Sequence, residues 1–141
     1  MAYASTTDML QRFGEHELTL LTDRDGQAGA VVEAMLVTAL TDASALIDGY
    51  LVGRYGLPLA NPPIVLTRLC CDMARYGLYD DQANEQVNQR QADAIRFLEK
   101  VSMGQISLGL SDSGSVTPSM DLPEMQSQGS VFARDKSKGF I

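Results

Sequence analysis

The sequence predicts an all-α fold, a small bundle of about five helices with one long central helix, followed by an extended C-terminal tail rich in Ser, Gly and Pro. Three observations carry this expectation. Apolar residues recur every three or four positions through most of residues 1–103, the period of a helix with one packed face. Residues that start and stop helices punctuate that pattern. After Gly104 the period ends and the composition changes. The expected division is a helical body at 1–103 and a partner-docking tail at 104–141.

Thr6, Thr7 and Asp8 offer N-cap oxygens ahead of Met9 and Leu10, and Gly14 ends this first short helix. EHELTLL continues as a second helix up to the corner LTDRDG at Leu21–Gly26. The longest helix is expected from Ala28 to Tyr55. There Val32, Leu36, Ala39, Ala43, Leu46 and Tyr50 form an apolar stripe. Leu40, Ile47 and Leu51 widen it, so the helix should touch more than one neighbour. GLPLANPP ends it, since three prolines within six residues cannot continue a helix.

A fourth helix starts beside Pro63 and carries Val65, Leu66, Leu69, Cys70, Met73 and Tyr76 at helical spacing. Asp80 and Asp81 open a polar break. The fifth runs from Asn84 to Met103 with Val87, Ala94, Ile95, Leu98 and Val101 on one face. In the tail, Ile106, Leu108 and Leu110 alternate as a short strand would, and Val131, Phe132, Phe140 and Ile141 are spaced apolar anchors. A polar segment dotted with such anchors suits docking onto a partner.

The chain of 141 residues carries a net charge of −7, from 18 acidic and 11 basic side chains. Such a balance argues against wrapping a phosphate backbone, which needs clustered Lys and Arg. Residues 104–141 hold three basic and four acidic residues, so most of the negative charge lies in the body. No apolar run is expected to reach the roughly 18 residues of a membrane span. MAYASTTDML lacks the pattern of a secretory signal, which points to the cytoplasm. Cys70 and Cys71 are adjacent and diverge on a helix, so packed thiols are expected in place of a disulfide or metal site.

Chemistry is sparse. In LTDRDG, alignment of Gly26 with the glycine of an EF-hand loop puts Leu21 at the first ligand position and Val32 at the twelfth. Neither has a side-chain oxygen, so a turn is expected and no metal. His16, the one histidine, has no nucleophile motif beside it. No phosphate loop and no H-E-x-x-H occurs. The densest polar pattern is DGYLVGRYGLPL followed by RLCCDMARYGLYDD. It suggests a seam between the long helix and the fourth, built from Asp48, Tyr50, Arg54, Tyr55, Asp72, Arg75 and Tyr76. Arg54 and the Asp72/Arg75 pair would hold the two helices together. No catalytic residue, cofactor or metal ligand is expected.

FGEHELTLLTDRDG, DGYLVGRYGLPL, LTRLCCDMARYGLYDD and GQISLGL, in this order and spacing, resemble the phage Mu-type head-to-tail adaptor proteins of tailed bacteriophages and prophages. The resemblance covers nearly all of residues 1–110. It implies a non-enzymatic, α-helical virion protein, assembled in the host cytoplasm and resident at the capsid–tail junction. Its implied partners are other copies of itself in a dodecameric ring, the portal protein, and downstream tail or head-completion proteins. DNA would pass through the channel without specific binding, and no membrane would be involved. Asp48, Tyr50, Arg54, Tyr55 and Pro58 carry over as a structural signature only. The alternative from another class is a cytoplasmic helical binding module or small enzyme with its site at the Asp48/Arg54/Asp72/Arg75 seam. Particle mass separates the two.

Overall fold

The computed structural model describes residues 2–110, whose helices are joined by turns and loops. The helices are α1 (Thr6–Phe13), α2 (Glu15–Thr22), α3 (Glu33–Leu51), α4 (Ile64–Tyr79) and α5 (Glu85–Ser102), with a single 3-10 turn at Asp80–Gln82. α3, α4 and α5 pack pairwise into the central core, and α1 and α2 each lie against both α3 and α4.

Local chemistry sets most boundaries. The cap of α1 is Ser5, one residue before the expected group: its Oγ accepts from the Asp8 amide at 3.2 Å, and the Asp8 carboxylate accepts from the Ser5 amide at 2.9 Å. This reciprocal pair is a capping box. Gly14 joins α1 to α2 at φ +87, a conformation few side chains tolerate. Pro63 and Asn84 precede α4 and α5 as expected, Asn84 accepting from the Val87 amide at 2.9 Å.

The long helix is shorter than its apolar pattern suggests. It has 19 residues, Glu33–Leu51, and not the stretch from Ala28 to Tyr55. Side chains take the backbone donors ahead of it. The Asp23 carboxylate accepts from the amides of Ala28 and Gly29 at 3.0 and 2.8 Å, and Thr22 Oγ1 accepts from Val32 at 2.9 Å. At the other end, the amides of Arg54 and Tyr55 both turn back to the Leu51 carbonyl. The buried stripe is Leu36, Leu40, Ala43, Ile47 and Leu51, whereas Leu46 is exposed and Tyr50 half-buried. A helix apolar on several sides leaves the choice of inner face to its neighbours.

Glu33–Leu51 also corrects the membrane-span expectation, because its length and mean hydropathy of 1.2 suffice for a span. In the fold it is the core helix, with Leu36, Ile47 and Leu51 fully enclosed by protein.

Both termini of the described chain join this core. Tyr3 and Ala4 are buried. The Tyr3 amide donates to Ser44 Oγ at 3.1 Å and its carbonyl accepts from Thr67 Oγ1 at 2.9 Å, so residue 3 bridges α3 and α4. At the far end, Ile106 and Leu108 are half-buried on the core and Leu110 is buried within it. The packed body therefore reaches Leu110, beyond the boundary expected at residue 103. The alternation of these three residues belongs to an extended segment laid on its own subunit. Val131, Phe132, Phe140 and Ile141 lie outside the described residues.

Candidate functional site

The seven polar residues expected to form one seam fall into separate places. α4 presents Arg75 toward α2, not toward α3. Its Nε donates to Glu17 Oε2 at 2.6 Å and its Nη2 to Glu17 Oε1 at 3.1 Å. The Tyr79 hydroxyl donates to the same carboxylate at 3.2 Å, and the Phe13 ring lies 4.6 Å from the guanidinium carbon. Burial alone would lower the Arg75 pKa, but the Glu17 hydrogen bonds and charge outweigh it and hold it above its ordinary value.

Asp72, one turn earlier on α4, is buried without a close partner. Arg68 Nε lies 3.8 Å away and Arg90 Nη1, from α5, 3.9 Å away. Burial raises the Asp72 pKa, and the arginines only partly oppose it. Asp48 accepts from the Tyr3 hydroxyl, and burial with this carboxylate pushes the Tyr3 pKa up. Tyr55 is buried and its hydroxyl accepts from the Leu108 amide at 3.2 Å. Arg54 stands past the end of α3, exposed, with its guanidinium against Gly104 and no carboxylate of a described residue in ion-pair range. The expected link from Arg54 to Asp72 and Arg75 is thus corrected: α3 ends at Leu51, which swings Arg54 away from α4.

Tyr76 and Tyr50 are half-buried. Tyr76 lines a cleft of about 340 Å³ where α3, α4 and α5 meet, with Met35, Leu46, Met73, Leu78 and Gln91. Nothing in the sequence pattern marked this cleft, because its walls come from flanks of helices whose central faces make the core. Val37 and Leu46 are both exposed on α3. Nine residues apart, they point about 180° from one another around the helix.

The groups that could do covalent chemistry are quiet. Burial raises both thiols, Cys71 up to about 12, and Cys70 lies 3.4 Å from Ser44 Oγ. His16 is exposed on α2. Among the described residues no three His, Cys, Asp or Glu side chains converge as metal ligands would. LTDRDG forms the expected turn, closed by the Gly26 amide on the Asp23 carbonyl at 3.2 Å, with Gly26 at φ +72.

Residues 3–127 match the family described as Bacteriophage Mu, Gp36. The chain belongs to the bacteriophage Mu Gp36 family. It is 51% identical over 115 residues to the Mu-like prophage FluMu protein gp36 of Haemophilus influenzae, covering 82% of each chain. It is also 39% identical over 142 aligned residues to Gene product J of Escherichia phage Mu, across the whole of both. Membership makes this a Mu-type phage protein. It spans both the helical body and part of the segment beyond Leu110.

Proposed function

We propose that this chain is a structural virion protein, a head-to-tail adaptor that forms a ring beneath the portal, extends the DNA channel and joins capsid to tail. The observation that carries the reading is the distribution of apolar surface on α3. Its inner face is buried, yet Val37 and Leu46 stand exposed on opposite flanks. Val52 at its end and Ile64 at the start of α4 are exposed as well. Such a helix suits a subunit flanked by copies of itself. A net charge of −7 suits a channel wall that DNA slides past without sticking.

In this reading the partners are twelve-fold copies of the chain, the portal, and the next tail or head-completion protein, and the protein resides at the capsid–tail junction. It performs no catalysis. Phe132, Phe140 and Ile141 would serve as anchors on a neighbouring protein.

Negative-stain microscopy and light scattering of the chain with its cognate portal test this. The expected result is a ring coaxial with the portal. A monomer that neither self-associates nor binds the portal at any ratio would remove the adaptor reading and favour a monomeric binding module.

A further inference from the structure

The cleft at the meeting of α3, α4 and α5 is apolar along Met35, Leu46, Met73 and Tyr76. Gln91 of α5 borders it, and the Gln91 Oε1 is buried with no hydrogen-bond donor among the described residues. A buried acceptor left unmet is unfavourable, so an occupant that brought a donor would relieve it. At Arg24 and Leu78 the cleft runs into a second depression that includes Glu17, Asp80 and Asp81. Glu17 is held by Arg75. Asp80 and Asp81 are exposed, and no cation of a described residue is in ion-pair range of either. The surface is thus a mainly apolar cleft, with Thr38 and Asp42 on its wall, beside the two carboxylates of Asp80 and Asp81. Arg24 stands between them, donating to the Leu78 carbonyl at 3.0 Å.

The chain contains a segment with the complementary pattern. Residues 131–141 read VFARDKSKGFI: three cations, Arg134, Lys136 and Lys138, against the single Asp135, flanked by Phe132 and by Phe140 and Ile141. In a chain of net charge −7 this is the one cationic stretch with apolar ends. Lys138 and Phe140 are two residues apart, about 7 Å in extended backbone.

We propose that residues 131–141 dock on the cleft of their own chain, with Phe140 and Ile141 between α3 and α4 and Lys136 and Lys138 beside Asp80 and Asp81. Reach permits it. Twenty residues separate Leu110 from Val131, and a Ser/Gly-rich tether of that length would have an r.m.s. span of about 25 Å. A body of this size has a radius of gyration of about 13 Å. Such a tether gives a local concentration in the millimolar range, so at micromolar protein the chain's own segment outcompetes that of a second copy. The inference concerns the isolated chain and stands or falls independently of ring formation.

The test places p-benzoylphenylalanine at position 140 of the full-length chain and irradiates a mixture of heavy-isotope-labelled and unlabelled protein. Mass spectrometry of the digest is expected to join residue 140 to peptides around Met35–Leu46 or Met73–Leu78, with both partners from the same isotope population. Leu46→Glu, on the cleft wall, should cut this yield severalfold. Asp80→Asn with Asp81→Asn should lower the yield and flatten its dependence on salt. Ile64→Glu, outside the cleft and 81% exposed, should leave the yield unchanged. Circular dichroism establishes that each variant is folded. Cross-links to other surfaces, cross-links only between isotope populations, or none at all would overturn the proposal.

Discussion

Arg75 of α4 and Glu17 of α2 meet through two hydrogen bonds, 2.6 Å from Nε to Oε2 and 3.1 Å from Nη2 to Oε1. The arginine side chain is 9% exposed and the glutamate 26%, so the pair is largely withdrawn from water. It fastens the α1–α2 hairpin to the three-helix core, with the Phe13 ring from α1 stacked on the guanidinium. Removing one partner would strand the other charge, whereas an exposed pair can be lost almost without effect.

Glu17→Ala is therefore expected to destabilise the fold by about 3 kcal/mol, the lower end of the range for breaking a buried pair. Arg68→Ala, which removes an exposed partner 3.8 Å from Asp72, should cost less than about 1 kcal/mol. Urea denaturation of both variants makes the comparison. Equal, small losses would show that the Arg75 pair is solvated in solution.

Asp72 supplies a pH signature. Its folded pKa lies above the ordinary 3.8, chiefly through burial, with Arg90, Arg68, Arg75 and Arg12 pulling the other way. An acid that binds its proton more tightly when folded weakens the fold as pH rises through that raised pKa. Asp72→Asn should accordingly melt higher than the parent at neutral pH. The difference should shrink as pH falls through the folded pKa and vanish below the unfolded one. An Asp72→Asn variant that melts below the parent at neutral pH, with the deficit vanishing in acid, would mean the arginines dominate the burial.

The residues that made the fold legible were those whose effects are local. Gly14, Pro63 and Asn84 mark helix ends through their own backbone conformation or side-chain caps, and those ends fall where the sequence places them. α3 is shorter at both ends than its apolar pattern suggests. Its start is decided by Asp23 and Thr22 reaching six and ten residues ahead, and such reach has no periodicity. The polar partners were less legible still. Glu17 is 58 positions from Arg75, and Tyr3 is 45 from Asp48. Three-residue spacing on one helix suggested Asp72 with Arg75, but packing turned the guanidinium toward α2.

The Asp23 loop should respond to acid in the opposite sense from Asp72. Backbone hydrogen bonds from Ala28 and Gly29 hold the Asp23 carboxyl below its ordinary value. A depressed carboxylate adds order that is present above the unfolded pKa and lost as pH falls through the folded one. Asp23→Ala should speed amide exchange at Ala28, Gly29 and Val32 at neutral pH, and Asp23→Asn, which keeps one acceptor oxygen, should do so less. Because those two oxygens already hold amides, millimolar calcium should leave the amide resonances in place. Saturable calcium-dependent shifts at Asp23–Gly29 would sink this account.

The last prediction separates two possible ends of the folded body. Expectation from composition puts the end at residue 103, after α5, whereas Ile106 and Leu108 rest on the core and Leu110 enters it. Gly104, at φ +78, turns the chain beside Arg54, and the amides of Gln105 and Ile106 return to the Lys100 carbonyl at 2.8 and 3.3 Å. The turn thus aims the segment back along the bundle, where Leu108 donates to the Tyr55 hydroxyl. A chain cut after Leu110 should keep its helical circular dichroism and unfold cooperatively. A chain cut after Met103 loses the buried leucine, two half-buried side chains and the Tyr55 hydrogen bond. It should be weaker than the longer fragment by at least about 3 kcal/mol. Because truncation also changes the charge at the terminus, Leu110→Ala in the full-length chain isolates the packing contribution. It should cost about 2 kcal/mol or more. Two fragments of equal stability, together with a silent Leu110→Ala, would return the boundary to residue 103 and free Ile106, Leu108 and Leu110 for a partner.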